Sequence, residues 1–132
     1  MTLVVDASVA VPACLSAAGF SVLRDDDLAA PELLWSECLS VLHELRWRRE
    51  ITSEDADAAR MALQHASVRQ VDRAELRDEA WRIADTLGWA KTYDAEYVAA
   101  ARLLDCRLVT LDARLRRGAD RLGLVVTVDE LG

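Results

Sequence analysis

The amino-acid sequence predicts an α/β domain, a mostly parallel sheet covered on both sides by helices. Two observations carry this. Short continuous apolar runs ended by an acid read as strands buried on both faces, and longer segments of helical apolar spacing alternate with them, the pattern that right-handed β-α-β crossovers produce. The 132 residues are enough for one core, so residues 1–132 are expected to form a single domain.

Residues 3–6, LVVD, form the first expected strand. A helix is expected from Val9 to about Ala18, with Pro12 tolerated only in its first turn, because proline lacks the N–H and its ring clashes with the turn before it. Gly19–Ala30 has little periodicity and reads as a short irregular helix or loop leading to a brief strand near Leu28–Ala30. Pro31 then opens a helix, with Glu32 in the first turn where the positive end of the dipole favours it. Leu34, Cys38, Val41, Leu42 and Leu45 form its buried stripe. Ser53 is expected to cap a further helix that runs to about Ala66, with Glu54 and Asp55 just inside. Val68–Val71 reads as a strand. Residues 73–88 form a helix with Leu76, Ala80, Ile83 and Leu87 inward and Gly88 as terminator. Thr92 caps the next helix, within KTYDAEYVAAARLL. Leu108–Leu111 is a strand ended by Asp112, ARLRRGADRLG a last short helix, and LVVTV the closing strand.

Composition narrows the function classes. No stretch reaches the ~20 apolar residues of a membrane span, and the N-terminal MTLVVDASVAVPAC has no basic leader and carries Asp6, so a cytoplasmic protein without membrane association is expected. Cys14, Cys38 and Cys106 are odd in number and far apart, with only His43 and His65 to help them; they read as small buried hydrophobes, neither a disulfide framework nor a zinc site. Neither histidine has a serine or cysteine partner in view. The net charge of −7 taken alone points away from nucleic acid, since phosphate binding usually shows as a basic surface.

Four acids qualify that conclusion. Ligands of open α/β sheets bind beyond the carboxyl ends of the strands, and Asp6 and Asp112 both end apolar strands. Ser8 lies two residues after Asp6 and Thr110 two before Asp112, a spacing that in extended backbone returns to one face, so each aspartate is expected to have a hydroxyl neighbour. Asp94 stands in the first turn of a helix that is apolar all round from Val98 and must therefore be buried. It reads either as a site residue held at the sheet's edge or as a plain dipole cap. Glu37 falls at the border of its helix's apolar stripe; Glu44, seven residues on, has nearly the same azimuth and is the alternative. Carboxylates gathered without basic partners repel and resist ionisation. A Mg²⁺ ion removes that difficulty and binds phosphate as well, so an acidic chain remains compatible with phosphate chemistry.

VVDAS, APELLWSE, TYDAEYVAAA and LVTLDARL, in that order over nearly the whole chain, resemble the PIN domain, and specifically the short single-domain VapC toxins of bacterial toxin–antitoxin pairs. The resemblance implies a three-layer α/β/α sandwich with a five-stranded parallel sheet and a Mg²⁺- or Mn²⁺-dependent endoribonuclease. It places Asp6, Glu37, Asp94 and Asp112 on the family's acidic quartet as metal-binding and catalytic residues, with Ser8 and Thr110 as hydroxyl supports. It also implies a cognate VapB-like antitoxin, an RNA substrate and a homodimer. The segment VAVPACLSAAGFSVLRDDD departs from many relatives, which touches the rim of the groove and not the acids. Fifteen of the sixteen basic residues are arginine; the cluster Arg114, Arg116 and Arg117, beside Asp112, is the candidate for RNA phosphates, whereas Arg46–Arg49 suits a helix C-terminus. Two other functions remain open: a PIN-like interaction module without activity, and a phosphoacceptor receiver domain. The latter needs a lysine from a late strand, and Lys91, the only lysine, precedes a helix.

Overall fold

The computed structural model describes residues 1–23 and 26–131. Its five strands, β1 (Thr2–Val5), β2 (Asp27–Ala30), β3 (Val68–Gln70), β4 (Arg107–Val109) and β5 (Val125–Val126), form one sheet in the order β3-β2-β1-β4-β5. Every neighbouring pair is parallel. The helices are α1 (Ala7–Leu15), α2 (Leu33–Trp47), α3 (Ser53–His65), α4 (Leu76–Leu87), α5 (Tyr93–Leu103) and α6 (Ala113–Ala119). From β1 the chain moves outward through β2 to β3, then returns past β1 to β4. Right-handed crossovers therefore put α1–α3 on one face and α4–α6 on the other. This is the three-layer sandwich expected. The reversal leaves a crevice between β1 and β4, where open α/β sheets bind ligands. A receiver-type order, 2-1-3-4-5, is not the one found, and Lys91 lies in the α4–α5 connection.

The core follows from the apolar runs. Leu3, Val4, Val5, Leu108 and Val109 are fully buried, as are Val98, Ala99, Ala100 and Ala101 of α5. The small side chains let α5 lie against β1 and β4, and their burial holds the helix's N-terminal turn at the sheet's edge.

Several boundaries differ from expectation for identifiable reasons. Helix α1 starts at Ala7, two residues early, because Asp6 caps it: Asp6 Oδ1 accepts from Val9 N at 3.3 Å. Pro12 consequently sits in the second turn, and the helix ends at Leu15. Thr52, and not Ser53, caps α3, in a reciprocal capping box with Asp55. Thr92 holds the cap position of α5 but its hydroxyl makes no capping bond. Leu34, Cys38 and Leu42 are the buried residues of α2, whereas Val41 is 37% exposed; the stripe centres on Cys38, and Val41 lies 60° off it on the side of Glu37. Within the expected irregular stretch Gly19–Ala30, Ser21–Leu23 form a single 3₁₀ turn, and Arg24 and Asp25 lie outside the described residues. Gly88 ends α4 with φ +71°, in the left-handed region. Cys14 and Cys38 are buried, Cys106 is half-buried, and all three are free thiols. Among the described residues no helix is long and apolar enough to cross a membrane.

Candidate active site

Strand register builds the centre of the site. Val5 pairs with Val109, so the residues that follow, Asp6 and Thr110, leave the sheet side by side. Both are buried. Thr110 Oγ1 donates to Asp6 Oδ2, and Ser8 Oγ donates to Asp6 Oδ1 at 2.5 Å. The hydroxyls are held in turn by backbone: Leu111 N donates to Ser8 Oγ at 2.8 Å and Asp112 N to Thr110 Oγ1 at 3.0 Å. Each hydroxyl has one proton and gives it to Asp6. The expected pairing of Thr110 with the Asp112 carboxylate is therefore absent; both hydroxyls serve Asp6, because β4 lies beside β1 and Asp112 turns away to start α6. Burial raises the pKa of Asp6 above the usual range, the hydroxyl and amide bonds oppose that, and the charge of Asp112 adds to it.

Asp112 caps α6, its Oδ1 accepting from Arg114 N at 2.9 Å and Leu115 N at 3.2 Å. Asp94 is half-buried in the first turn of α5. Its carboxyl is raised by burial and then by the charge of Asp112, with Arg114 acting against both. Glu37 accepts from the Tyr97 hydroxyl through Oε1 at 2.5 Å. Burial raises its pKa, the Tyr97 bond lowers it, and the charges of Asp94 and Asp6 raise it again. Glu44 is by contrast exposed and paired with Arg48 at 2.7 Å, so of the two glutamates Glu37 is the one gathered with the aspartates.

The four acids thus lie within electrostatic reach of one another: the charge of Asp112 bears on Asp6 and Asp94, and the charges of Asp94 and Asp6 bear on Glu37. All are oxygen donors of the kind a hard cation takes. Among the described residues no three His, Cys, Asp or Glu side chains stand close enough to enclose one ion. The set fits, in kind, an ion held by one or two carboxylates with water and phosphate completing the shell, as Mg²⁺ prefers; it does not form a full protein cage.

A cleft of about 620 Å³ opens on Glu37 and Asp94 and is bordered by Lys91, Arg114, Trp89 and Tyr93. Of the three candidate arginines only Arg114 lines it. Arg116 is ion-paired with Glu130, and Arg117 is exposed; at 100° per residue Arg116 faces away from Arg114. Arg46 and Arg49 border a separate hollow with Ile51 and Asp55. Tyr97 was not foreseen in the sequence. Its signal was the spacing of three from Asp94, which places both side chains on one face of α5.

The PIN domain family model matches residues 3–121. VapC ribonuclease Mb0985 of Mycobacterium bovis and ribonuclease VapC9 of Mycobacterium tuberculosis are each 34% identical to this chain over 114 residues, spanning 86% of it and 87% of their own length. The crystal structure of PAE2754 from Pyrobaculum aerophilum has the same fold, with a TM-score of 0.73 at 24% identity over 99% of this chain and 92% of that one.

Proposed function

Because the chain belongs to the PIN-domain family, in its VapC branch, we propose that it is an endoribonuclease dependent on Mg²⁺ or Mn²⁺ that hydrolyses RNA phosphodiester bonds, and that it is the toxin of a toxin–antitoxin pair. The observation that carries this is the gathering of Asp6, Glu37, Asp94 and Asp112 at the β1–β4 crevice, where burial and neighbouring acids raise the pKa values of Asp6, Glu37 and Asp94, with Glu37 and Asp94 opening onto a cleft that also holds Lys91 and Arg114.

Asp6, Asp94 and Asp112 would hold the ion, with Glu37 completing the set. Such an ion supplies charge neutralisation at the phosphoryl oxygens and a more acidic water. The chain's own residues do the rest. Ser8 and Thr110 fix both oxygens of Asp6. Glu37, anchored through Oε1 by Tyr97, keeps Oε2 to accept a proton from the attacking water, and the upward shift that burial gives its carboxyl makes it a stronger base. Arg114, with Lys91, receives the RNA backbone, and the exposed Arg117 extends that contact at the margin, whereas Arg116 is taken by Glu130.

A small VapB-like antitoxin that occupies this cleft, and a homodimer, complete the proposal; Leu39, Met61 and Trp81 stand exposed and are apolar surface such contacts would cover. The test is incubation of the purified protein with RNA in Mg²⁺, Mn²⁺ or EDTA, with the new 5′ ends mapped, alone and after co-expression with the adjacent reading frame. Metal-dependent ends that the neighbour suppresses are expected. No cleavage in either metal overturns the enzyme, and cleavage that the neighbour leaves unchanged overturns the pairing.

A further inference from the structure

Two aromatic residues, Trp89 and Tyr93, line the cleft beside the acids, and the role given to the carboxylates leaves them unexplained. Trp89 follows the left-handed Gly88, and its amide donates back to Ala84 O at 2.8 Å, which locks the turn. The indole then lies on bare backbone of α6: a Cβ on Gly118 would stand 2.9 Å from its Cζ2 and Nε1. Gly118 has no need of a special backbone angle, and a helix interior ordinarily disfavours glycine, so the close approach of the indole is what the position accommodates. Trp89 remains half-buried. Tyr93, on the same cleft, is 58% exposed and immediately precedes Asp94.

We infer that Trp89 and Tyr93 form a nucleobase-stacking subsite that takes one unpaired base of single-stranded RNA next to the bond placed at the acids, and so sets where the strand is cut. This rests on the ribonuclease reading of the site. The cleft combines two ring faces, the cations Lys91 and Arg114 and the acid Asp94, which matches the three parts of a nucleotide: a flat base, an anionic phosphate and the bond to be hydrolysed. Stacking on aromatic rings tolerates any base and requires that the base be unpaired, so the subsite selects loops and single strands over duplex. Two aromatic faces beside cations also suit a protein segment, and that occupant is an outcome of the test.

The experiment measures affinity in EDTA for a labelled single-stranded RNA of about ten nucleotides and for a set of strands each with one abasic position. The proteins are wild type, Tyr93→Ala, Tyr93→Phe, Trp89→Leu and Gly118→Ala, checked for fold by circular dichroism. Tyr93→Ala and Trp89→Leu are expected to lose about tenfold or more in affinity, and Tyr93→Phe no more than about twofold, since its ring is intact. Gly118→Ala, which displaces the indole at the flexible end of a side chain, is expected to fold and to lose affinity like Trp89→Leu. One abasic strand should weaken wild type by the same factor and the variants no further. Losses that add to those of every abasic strand, or variants that bind like wild type, overturn the subsite; the latter result leaves the surface to a protein. Tyr93 is exposed, so its variant folds whatever becomes of Trp89→Leu. Wild type that cuts RNA while the variants bind unchanged fails the subsite alone, and wild type that neither binds nor cuts RNA fails the ribonuclease reading and the subsite together.

Discussion

The Tyr97 hydroxyl of α5 donates to Glu37 Oε1 of α2 at 2.5 Å, a bond that ties the two helix layers together at the mouth of the crevice. Tyr97 is 1% exposed, so its only route to a partner is through that carboxylate. Burial and the hydrogen bond both keep the phenol protonated, its pKa held far above the ordinary value.

Tyr97→Phe removes a bond that favours the ionised form of Glu37, and its pKa, already raised by burial, rises further. The acidic limb of the cleavage profile should move to higher pH, with little change at alkaline pH. The stability lost at neutral pH should be about 1 kcal/mol, modest because Glu37 is only half-buried. Cleavage rate against pH for the two proteins checks the shift.

Three acids with raised pKa values, Asp6, Glu37 and Asp94, set the sign of the metal-free pH dependence at this site. A carboxyl whose folded pKa exceeds its unfolded pKa binds more protons when folded, so its contribution falls as pH rises from the unfolded pKa through the folded one. In EDTA the melting temperature should therefore decline from the mildly acidic side toward neutrality more steeply in wild type than in Asp6→Asn. Equal slopes would show that burial of Asp6 exerts no such penalty.

Asp112 caps α6, and the metal-binding role proposed for it is separable from that cap. Asn is as good an N-cap as Asp and Ala is not, so Asp112→Asn should keep the thermal stability and lose cleavage. Asp112→Ala should lose cleavage and about 1 kcal/mol of stability as well. Thermal melts beside cleavage assays distinguish them.

Arg114 and Arg116 should behave differently although both belong to one basic cluster. Arg114 lines the cleft, whereas Arg116 is taken by Glu130. Arg114→Ala should weaken RNA binding and reduce the slope of log affinity against log salt by about 0.7, the value for one phosphate contact on a single strand. Arg116→Ala should change neither, as titrations of RNA affinity against salt will show.

The legible parts of this fold were those carried by local pattern. Leu3–Val5 and Leu108–Val109 announced buried strands, although the second ends at Val109 and leaves Leu111, expected within it, exposed, and the alanines after Val98 announced a buried helix. The acids were visible because Asp6 and Asp112 end strands and Asp94 opens a buried helix. What escaped depends on contacts between distant segments. Thr110 serves Asp6 and not Asp112 because of the β1–β4 register, which no spacing within one strand reveals. Glu37 and Glu44 share an azimuth, and only the position of Tyr97, sixty residues away, separates them. The cap of α1 was missed because Asp6 ends a strand and starts a helix at once, and periodicity assigns a residue to one element.

The central claim is that Asp6, buried and fixed by Ser8 and Thr110, anchors metal-dependent RNA hydrolysis. Its most direct test is the single-turnover cleavage rate against Mn²⁺ concentration for wild type and Asp6→Asn, with fold verified by thermal melting. An amide has nearly the shape of the carboxylate but is a poorer ligand for a hard cation. The account predicts that Asp6→Asn melts no lower than wild type in EDTA and cleaves slower by about a hundredfold or more at every Mn²⁺ concentration. A folded Asp6→Asn that cleaves at the wild-type rate, with the wild-type Mn²⁺ requirement, would contradict it.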